Sequence, residues 1–217
     1  MNLIKPSYKI ETEINREAIL RRIEAAGRTC YKSEDKITPE SASSFVSKII
    51  KSGHESVIEH ESISVRFIVD RGVTHELVRH RLAAFSQEST RYCDYSGGVT
   101  FIIPPWVDIP EALYDSDEYC YQCDTLSARW FISMENAAED YQSLIKQGWT
   151  PQQARTVLPN SLKTEIVMTA NLREWRHVLK LRTSSAAHPQ MREIMNPLLS
   201  ELTELLPEIF GNLISEK

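Results

Sequence analysis

The sequence has few cysteines and no long apolar run. Its four cysteines are unevenly spaced over 217 residues, too few for a secreted disulfide framework, so we expect reduced, structural thiols. Cys120 and Cys123 form a CxxC, but no second pair accompanies it to complete a zinc site. No stretch of about 18 apolar residues could span a membrane, and acidic residues precede any apolar stretch that a signal peptidase could use. These absences predict a cytoplasmic protein with no membrane partner.

The sequence also lacks the usual motifs for nucleotides and metals. Its seven glycines form neither a GxGxxG nor a P-loop, so a dinucleotide would have to bind outside a Rossmann crevice. His54, Glu59 and His60 do not have HExxH spacing, and His75 and His80 are five residues apart, off a shared helical face. We therefore expect no metal site.

What is present indicates one helix-rich globular domain over residues 1–217. Apolar residues make up 41% and charged residues 25%, which excludes a disordered chain, and neither repeats nor a Pro/Gly/Ser-rich linker divide it. Alternating apolar residues predict strands, and apolar residues three and four apart predict helices. The predicted strands are 63–69, 99–103 and 162–168; the predicted helices are 14–23, 38–53, 73–78, 124–146, a short one from 150, one from 171, and 191–210 with Pro197 and Pro207 as kinks or breaks. This mixture predicts an α/β (α+β) fold.

The distribution of positive charge indicates an anion site. A net charge of −5 disfavours nucleic acid as a partner, because binding the phosphate backbone rests on a basic surface. No lysine occurs between Lys51 and Lys146, yet that interval contains six arginines. The planar guanidinium grips phosphate in two-pronged geometry and stays charged on burial. The structural alternative is that these arginines cover apolar surface and form ordinary ion pairs.

The densest cluster of basic and polar residues is Arg79-His80-Arg81 followed by LAAFSQESTRY. A continuous helix would place Arg79 and Arg81 about 200° apart, so the backbone must leave the helix there if both serve one ligand. The small polar residues 86–90 can present hydroxyl and backbone N–H groups to phosphate oxygens. The structural alternative is a polar loop that closes a sheet edge.

This stretch, RHRLAAFSQESTRY, resembles the signature of the flavin-dependent thymidylate synthases: an Arg-His-Arg triplet, seven residues, then a serine, here Ser89, and shortly an arginine, here Arg91. Three other stretches resemble further motifs of the family in the same order. They are GHES with EH at 53–60, ARTVLP at 154–159, and NLR at 171–173 with LR at 181–182.

The resemblance implies a helix-rich domain around a central mixed or antiparallel sheet. It also implies conversion of dUMP to dTMP, with methylenetetrahydrofolate as carbon donor and NADPH as reductant through bound FAD. The active sites of similar enzymes lie between subunits of a homotetramer.

The resemblance further implies the site residues. Those for FAD are Ser56, Arg79, His80, Arg81, Gln87, Asn171, Arg173 and His177, with His54 lining the flavin and folate side. Those for dUMP are Glu76, Arg79, Gln87, Glu88, Ser89, Thr90, Arg91, Arg155 and Arg182.

Two of these residues have predicted roles in the chemistry. The family's catalytic candidate is Arg182, a fixed cation beside the N3 and O4 edge of uracil, where negative charge develops as C5 becomes nucleophilic. Ser89 is expected to bind rather than to act as a nucleophile, because activation would need an oriented base in hydrogen-bond reach. No cysteine stands in the Pro-Cys-His context of the cysteine-dependent synthases.

Two other functions remain open from the residues themselves. A metal-independent nucleotide phosphotransfer or hydrolysis enzyme could use the same arginines, and would carry no flavin. An RNA-binding module would show affinity that falls steeply with salt.

Overall fold

The computed structural model describes residues 1–114 and 124–215. The chain divides into two compact units, each described by itself. Unit 1 comprises Met1–Ser7, Phe67–Arg79 and Ser86–Val167, and unit 2 comprises Tyr8–Arg66, His80–Phe85 and Met168–Lys217. The expectation of a single domain stays a prediction.

Helices dominate the described residues. The α-helices are α1 Arg16–Thr29, α2 Ser41–Lys51, α3 Arg71–Leu77, α4 Thr125–Lys146, α5 Pro151–Ala154, α6 Leu172–Arg182, α7 Pro189–Leu205 and α8 Pro207–Ser215. Three 3-10 turns lie at Glu34–Lys36, Glu55–His60 and Arg155–Val157. The strands are β1 Asn2–Ile4, β2 Ser7–Ile10, β3 Ser62–Asp70, β4 Ala84–Gln87, β5 Thr100–Ile102, β6 Ala112–Leu113 and β7 Lys163–Asn171.

The strands form two sheets. One has the order β5-β1-β6, in which β1 runs parallel to β5, with Leu3 opposite Phe101, and antiparallel to β6. The other has the order β2-β3-β7-β4. Alternate residues of β3 and β7 are buried, as their period-2 patterns predict. The predicted helix-rich α+β fold is confirmed.

The core of unit 1 is built against α4. Asp124 caps this helix by accepting hydrogen bonds from the N–H groups of Leu126 and Ser127, and Phe131, Met134 and Tyr141 are buried with Leu3 and Phe101. Leu126 follows the apolar spacing of the helix but is 81% exposed. The apolar spacing correctly predicts the helix, but the first turn of α4 extends beyond the core and leaves this side chain in solvent.

The core of unit 2 contains apolar residues from α1, α2, α6, α7 and α8. Trp175 of α6 is completely buried, and its indole N–H donates to the Ile63 carbonyl at 2.9 Å. The predicted start of α2 at Thr38 is wrong: Ser41 is the first helical residue, and its hydroxyl accepts from the Thr38 N–H at 2.9 Å. This local hydrogen bond holds residues 38–41 in a turn.

The two C-terminal prolines behave differently. Pro197 lies inside α7, which continues to Leu205, so this proline does not end the helix. Pro207 begins α8, as expected of a residue whose missing N–H is harmless in a first turn.

The cysteines and the membrane prediction complete the description. Cys30 is exposed, Cys93 is partly buried, and neither forms a disulfide. Cys120 and Cys123 lie outside the described residues. Across residues 1–114 and 124–215, no helix is both long enough and apolar enough to cross a bilayer. The cytoplasmic location stays a prediction.

Candidate active site

Helix α6 and its capping residue carry four of the candidate residues of unit 2, which are Asn171, Arg173, His177 and Arg182. Asn171 caps it, and its side-chain oxygen accepts the Glu174 backbone N–H at 2.9 Å, which confirms the helix start expected from the spacing of these two residues. Arg173 and His177 are four residues apart, on the exposed side of the helix, whereas Glu174 is buried. One helix thus presents a cation and an imidazole outwards and a carboxylate inwards.

A large open cleft of about 1250 Å³ lies in unit 2 against this face of α6. Three predicted flavin residues, Asn171, Arg173 and His177, line it. Lys51 and Lys180 add positive charge to its wall. Four carboxylates line the same cleft, those of Glu55, Glu59, Glu174 and Glu208. Glu59 pairs with Arg173 at 2.5 Å. The cleft therefore combines cationic, anionic, amide and aromatic groups, and its size suits a large ligand.

A smaller cavity of about 340 Å³ in the same unit is lined by the GHES motif at 53–56. His54, Ser56 and Cys30 line it, and Arg173 lines both cavities. The structure thus gathers five predicted flavin residues around two cavities with a shared wall. They are His54, Ser56, Asn171, Arg173 and His177.

Arg176 is a mostly buried guanidinium at the wall of the large cleft. Its Nη2 lies 2.9 Å from Glu55 Oε1, and its Nη1 donates to Asn212 Oδ1 at 2.8 Å and to the Ile209 carbonyl. These contacts tie α6 to the turn Glu55–His60 and to α8. Only 6% of Arg176 is exposed, and burying a charged group is costly unless it is paired and hydrogen-bonded. These partners therefore offset the cost of burying the guanidinium.

His80 and Arg182 form the second feature of unit 2. Arg182, the last residue of α6, donates its Nε–H to His80 Nε2 at 3.0 Å. His80 Nδ1 lies 3.5 Å from Glu174 Oε1, and the His80 ring meets the His177 ring edge-on with centroids 5.9 Å apart. His80 is only 5% exposed. The predicted catalytic arginine is therefore hydrogen-bonded to a buried histidine.

His80, Glu174 and His177 could also hold a metal, because one ligand atom from each lies within 4.8 Å of the others. The hydrogen bond from Arg182 opposes this. A histidine that binds a metal through one ring nitrogen normally donates from the other, whereas His80 Nε2 accepts from a guanidinium. The absence of a metal site stays a prediction.

The titration of His80 predicts how stability depends on pH. Burial, then the charge of Arg182 and the neighbouring His177, lower the pKa of His80 from 6.5 to about 4. Between these values the unfolded chain binds a proton that the native protein excludes, so the free energy of unfolding falls as the pH drops from about 6.5 to about 4. This group accounts for at most about 3 kcal/mol of that fall. Urea unfolding across this range should show the slope in the wild type and a shallower one in His80→Asn; equal slopes would contradict it.

The predicted nucleotide residues of unit 1 surround the turn that follows β4. The Ser89 carbonyl accepts the backbone N–H groups of Tyr92 and Cys93 at 3.1 and 2.9 Å, and the Ser89 hydroxyl accepts the Arg91 N–H at 3.3 Å. Arg155 donates to the hydroxyl of buried Thr90 at 3.1 Å. The structure therefore brings Ser89, Thr90, Arg91 and Arg155 together, although they come from two separated motifs.

Glu88 is held in a network rather than exposed for a ligand. Its carboxylate accepts from the Tyr95 hydroxyl at 2.7 Å, Lys163 Nζ at 3.0 Å and the Glu165 N–H at 3.2 Å. Burial and the bond to Glu88 raise the pKa of Tyr95, so this hydroxyl stays a donor. These contacts anchor the residue immediately before the Ser89 turn.

Gln87 is also held by neighbours within unit 1. Its side-chain amide donates to the hydroxyls of Thr74 and Thr164 at 3.0 and 3.3 Å. The contacts of Gln87 and Glu88 hold the end of β4 in place and so fix the position of the turn at Ser89. That these two residues bind ligands stays a prediction.

The remaining candidates lie around the end of α3. The helix ends at Leu77, and Val78 and Arg79 form a turn, so the backbone leaves the helix before Arg79 as the charge pattern requires. Arg79 and Arg81 are exposed, and Glu76 is partly buried.

Sequence reasoning missed Glu174 and Lys180 as parts of the site. The position of Glu174, three residues after Asn171, indicates from sequence only a helix start. A search for charged residues within two helical turns after the NLR motif would have found both.

A family model described as "Thymidylate synthase complementing protein" matches residues 15–208. The chain belongs to this family. Relatives named flavin-dependent thymidylate synthase include one from Mycolicibacterium vanbaalenii, 34% identical over 194 residues, which cover 88% of this chain and 78% of the relative. Another, from Corynebacterium glutamicum, is 30% identical over 212 residues, covering 95% and 84%. The resemblance inferred from the four motifs is confirmed.

Solved structures agree on the fold. The crystal structure of the UMP/dUMP methylase PolB from Streptomyces cacaoi bound with 5-Br dUMP superposes with a TM-score of 0.77 and 21% identity, covering 99% of this chain and 97% of that one. The same protein bound with 5-Br UMP gives a TM-score of 0.74. All four motifs lie within the span that matches the thymidylate synthase complementing protein family.

Proposed function

We propose that this chain catalyses the reductive methylation of dUMP to dTMP, with methylenetetrahydrofolate as carbon donor and NADPH as reductant through bound FAD. The observation that carries the proposal is the cleft of unit 2, where the predicted flavin residues Asn171, Arg173 and His177 line the wall together. Membership of the family supports it.

The residues of the cleft fit FAD. Lys51 and Lys180 offer positive charge to a diphosphate, and Arg173 would join them by exchanging its pair with Glu59 for the ligand. The side chains of Leu82 and Leu213 offer apolar surface to a ring system. His54 and Ser56 of the adjoining cavity would line the flavin and folate side. When bound, FAD supplies two-electron redox chemistry between NADPH and the one-carbon unit.

The turn after β4 would hold the nucleotide phosphate. Ser89 offers a hydroxyl, Arg91 is exposed, and Thr90 fixes one nitrogen of Arg155. We propose that Arg79 adds a further guanidinium and that Ser89 only positions the substrate, because hydroxyls and guanidiniums bind phosphate without a covalent step.

Arg182 would stabilise charge in the reaction. As uracil C5 attacks the one-carbon unit, negative charge grows at N3 and O4, and a fixed cation at that edge lowers the barrier. Arg182 stays charged at any working pH, and its Nε is already held by His80, so little reorganisation accompanies the reaction.

We propose a homotetramer with active sites shared between subunits, as the family resemblance implies. Light scattering of the purified protein tests the mass, and mixing an Arg182→Ala variant with an Arg91→Ala variant tests the sharing. Recovered activity in the mixture supports shared sites, and none contradicts them.

The decisive experiment is the visible spectrum of the purified protein before and after anaerobic NADPH, followed by a dTMP assay. We expect a flavin spectrum that bleaches with NADPH at a rate sensitive to dUMP, and dTMP formation only when methylenetetrahydrofolate is present. A colourless protein that transfers or hydrolyses nucleotide phosphate would instead support the phosphotransfer alternative. Oligonucleotide binding that weakens steeply with salt would support the RNA-binding one.

A further inference from the structure

The contact between Arg182 and His80 fixes the protonation of the imidazole. A guanidinium is always charged and has only donors, so the Nε–H of Arg182, 3.0 Å from His80 Nε2, requires an unprotonated acceptor there. A neutral imidazole carries a single proton, and that proton must then sit on Nδ1. The lowered pKa of His80 agrees with a neutral ring.

Glu174 faces the opposite side of the same ring. Its Oε1 is 3.5 Å from Nδ1, and the side chains of His80 and Glu174 are only 4% and 7% exposed. In so little water a carboxylate favours the tautomer that turns an N–H towards it. The three residues therefore form an ordered series from Glu174 through His80 to Arg182.

We propose that His80 and Glu174 are positioning residues for the guanidinium of Arg182, with Glu174 selecting the His80 tautomer that accepts the Nε–H. The inference rests on the proposed function, because it gives the catalytic arginine its orientation. Holding Nε limits rotation of the side chain and so sets the plane of the planar fork. Neither residue needs to exchange a proton with the substrate.

Removing the charge of Glu174 should allow the proton of the His80 ring to sit on either nitrogen. With Nε2 protonated, two N–H donors would face each other in a buried place, and the guanidinium would turn away. Misplacing a preorganised group costs rate even when the group is still present. If Glu174 acts through the His80 tautomer, its substitution should lower kcat only in a protein that still contains Arg182.

The test is Glu174→Gln in the flavin-loaded protein. We expect kcat for dTMP formation to fall about 10–100-fold, with unchanged flavin content. This is the usual loss when a residue that orients a metal-binding side chain through a hydrogen bond is removed. In the Arg182→Ala background the same substitution should cause no further fall, because the two act through one group. Independent, multiplying losses would overturn the proposal.

Glu24→Gln is the matched control. Glu24 is also a buried carboxylate of unit 2, 1% exposed, and it pairs with Arg28 at 2.8 Å and accepts from the Ser41 hydroxyl at 2.7 Å. We expect this variant to lose stability and keep its kcat. An equal loss of kcat in both variants would show that Glu174 serves only the fold.

A second measurement needs neither turnover nor a folded variant of Glu174. Nitrogen-15 NMR of histidine-labelled wild-type protein, with His80→Asn to assign the signal, reports which ring nitrogen carries the proton. We expect protonated Nδ1 and unprotonated Nε2. A His80 ring protonated at Nε2 would overturn the positioning role even in an active synthase, and absence of synthase activity with the expected tautomer would reject only the proposed function.

Zinc titration distinguishes the metal alternative. If His80, Glu174 and His177 bound Zn²⁺, calorimetry would show tight binding that His177→Ala abolishes, and His80 could not keep its Nδ1 proton. We expect no such binding, and finding it would overturn the proposal.

Discussion

Replacing Arg182 with alanine is expected to lower kcat for dTMP formation by about 10²–10³-fold, the usual cost of removing one preorganised donor from a developing negative charge. The flavin should stay bound, because Arg182 does not line either described cavity of unit 2. Steady-state kinetics and the flavin absorbance of the same sample measure both outcomes. The lost charge stabilisation acts in the transition state, so kcat should fall more than the affinity for dUMP.

Two further variants test the origin of this effect. Arg182→Lys keeps the charge but lacks the planar fork and the Nε–H donor to His80, so we expect an intermediate loss. Arg21→Ala removes an exposed arginine of α1 that pairs with Glu17 and should leave kcat unchanged. Wild-type turnover in Arg182→Ala would exclude this guanidinium from the chemistry.

Replacing Arg176 with methionine is expected to have the largest effect on stability. The substitution leaves the Glu55 carboxylate without its guanidinium, and it removes the donors to the Ile209 carbonyl and Asn212. Breaking a buried pair from one side typically costs about 3–5 kcal/mol, which for a chain of this size lowers Tm by roughly 10 °C. Calorimetry measures the shift.

The control for this prediction is Arg21→Met. Its pair with Glu17 is exposed, and such pairs contribute little, so Tm should hardly change. Because Arg176, Glu55 and Asn212 also line the large cleft, Arg176→Met should retain less flavin after purification than Arg21→Met. Equal Tm values for the two variants would show that the buried guanidinium is not required for stability.

Local sequence patterns predicted the elements that hold the site. The Asn171 and Glu174 spacing located the start of α6, and Gln153 accepts the Thr150 N–H at 2.9 Å as the pattern before α5 predicts. The alternation in β3 and β7 identified both long strands. These signals succeed because caps and amphipathic periods act within a few residues of one another.

Apart from β5, which lies within the predicted strand 99–103, the short strands had no such signal. β1 contains three residues and pairs in register with β5 about a hundred positions away, with Asn2 opposite Thr100. The sequence pattern predicts no strand at the position of β4, yet β4 joins β7 at the end of a sheet. A strand of three or four residues is defined by its partner, and sequence periodicity cannot show that partner.

The sequence alone determined the family, the main helices and the residues that bring charge to the site, because these depend on residue types at fixed local spacings. Only the tertiary structure decided how far each charge is exposed and which partners it has. Arg173 lines two cavities, whereas Arg176, three residues later, is buried against Glu55. His80 lies under Arg182, a residue 102 positions away. Such distinctions depend on burial and on hydrogen bonds between distant segments, which only the folded chain creates.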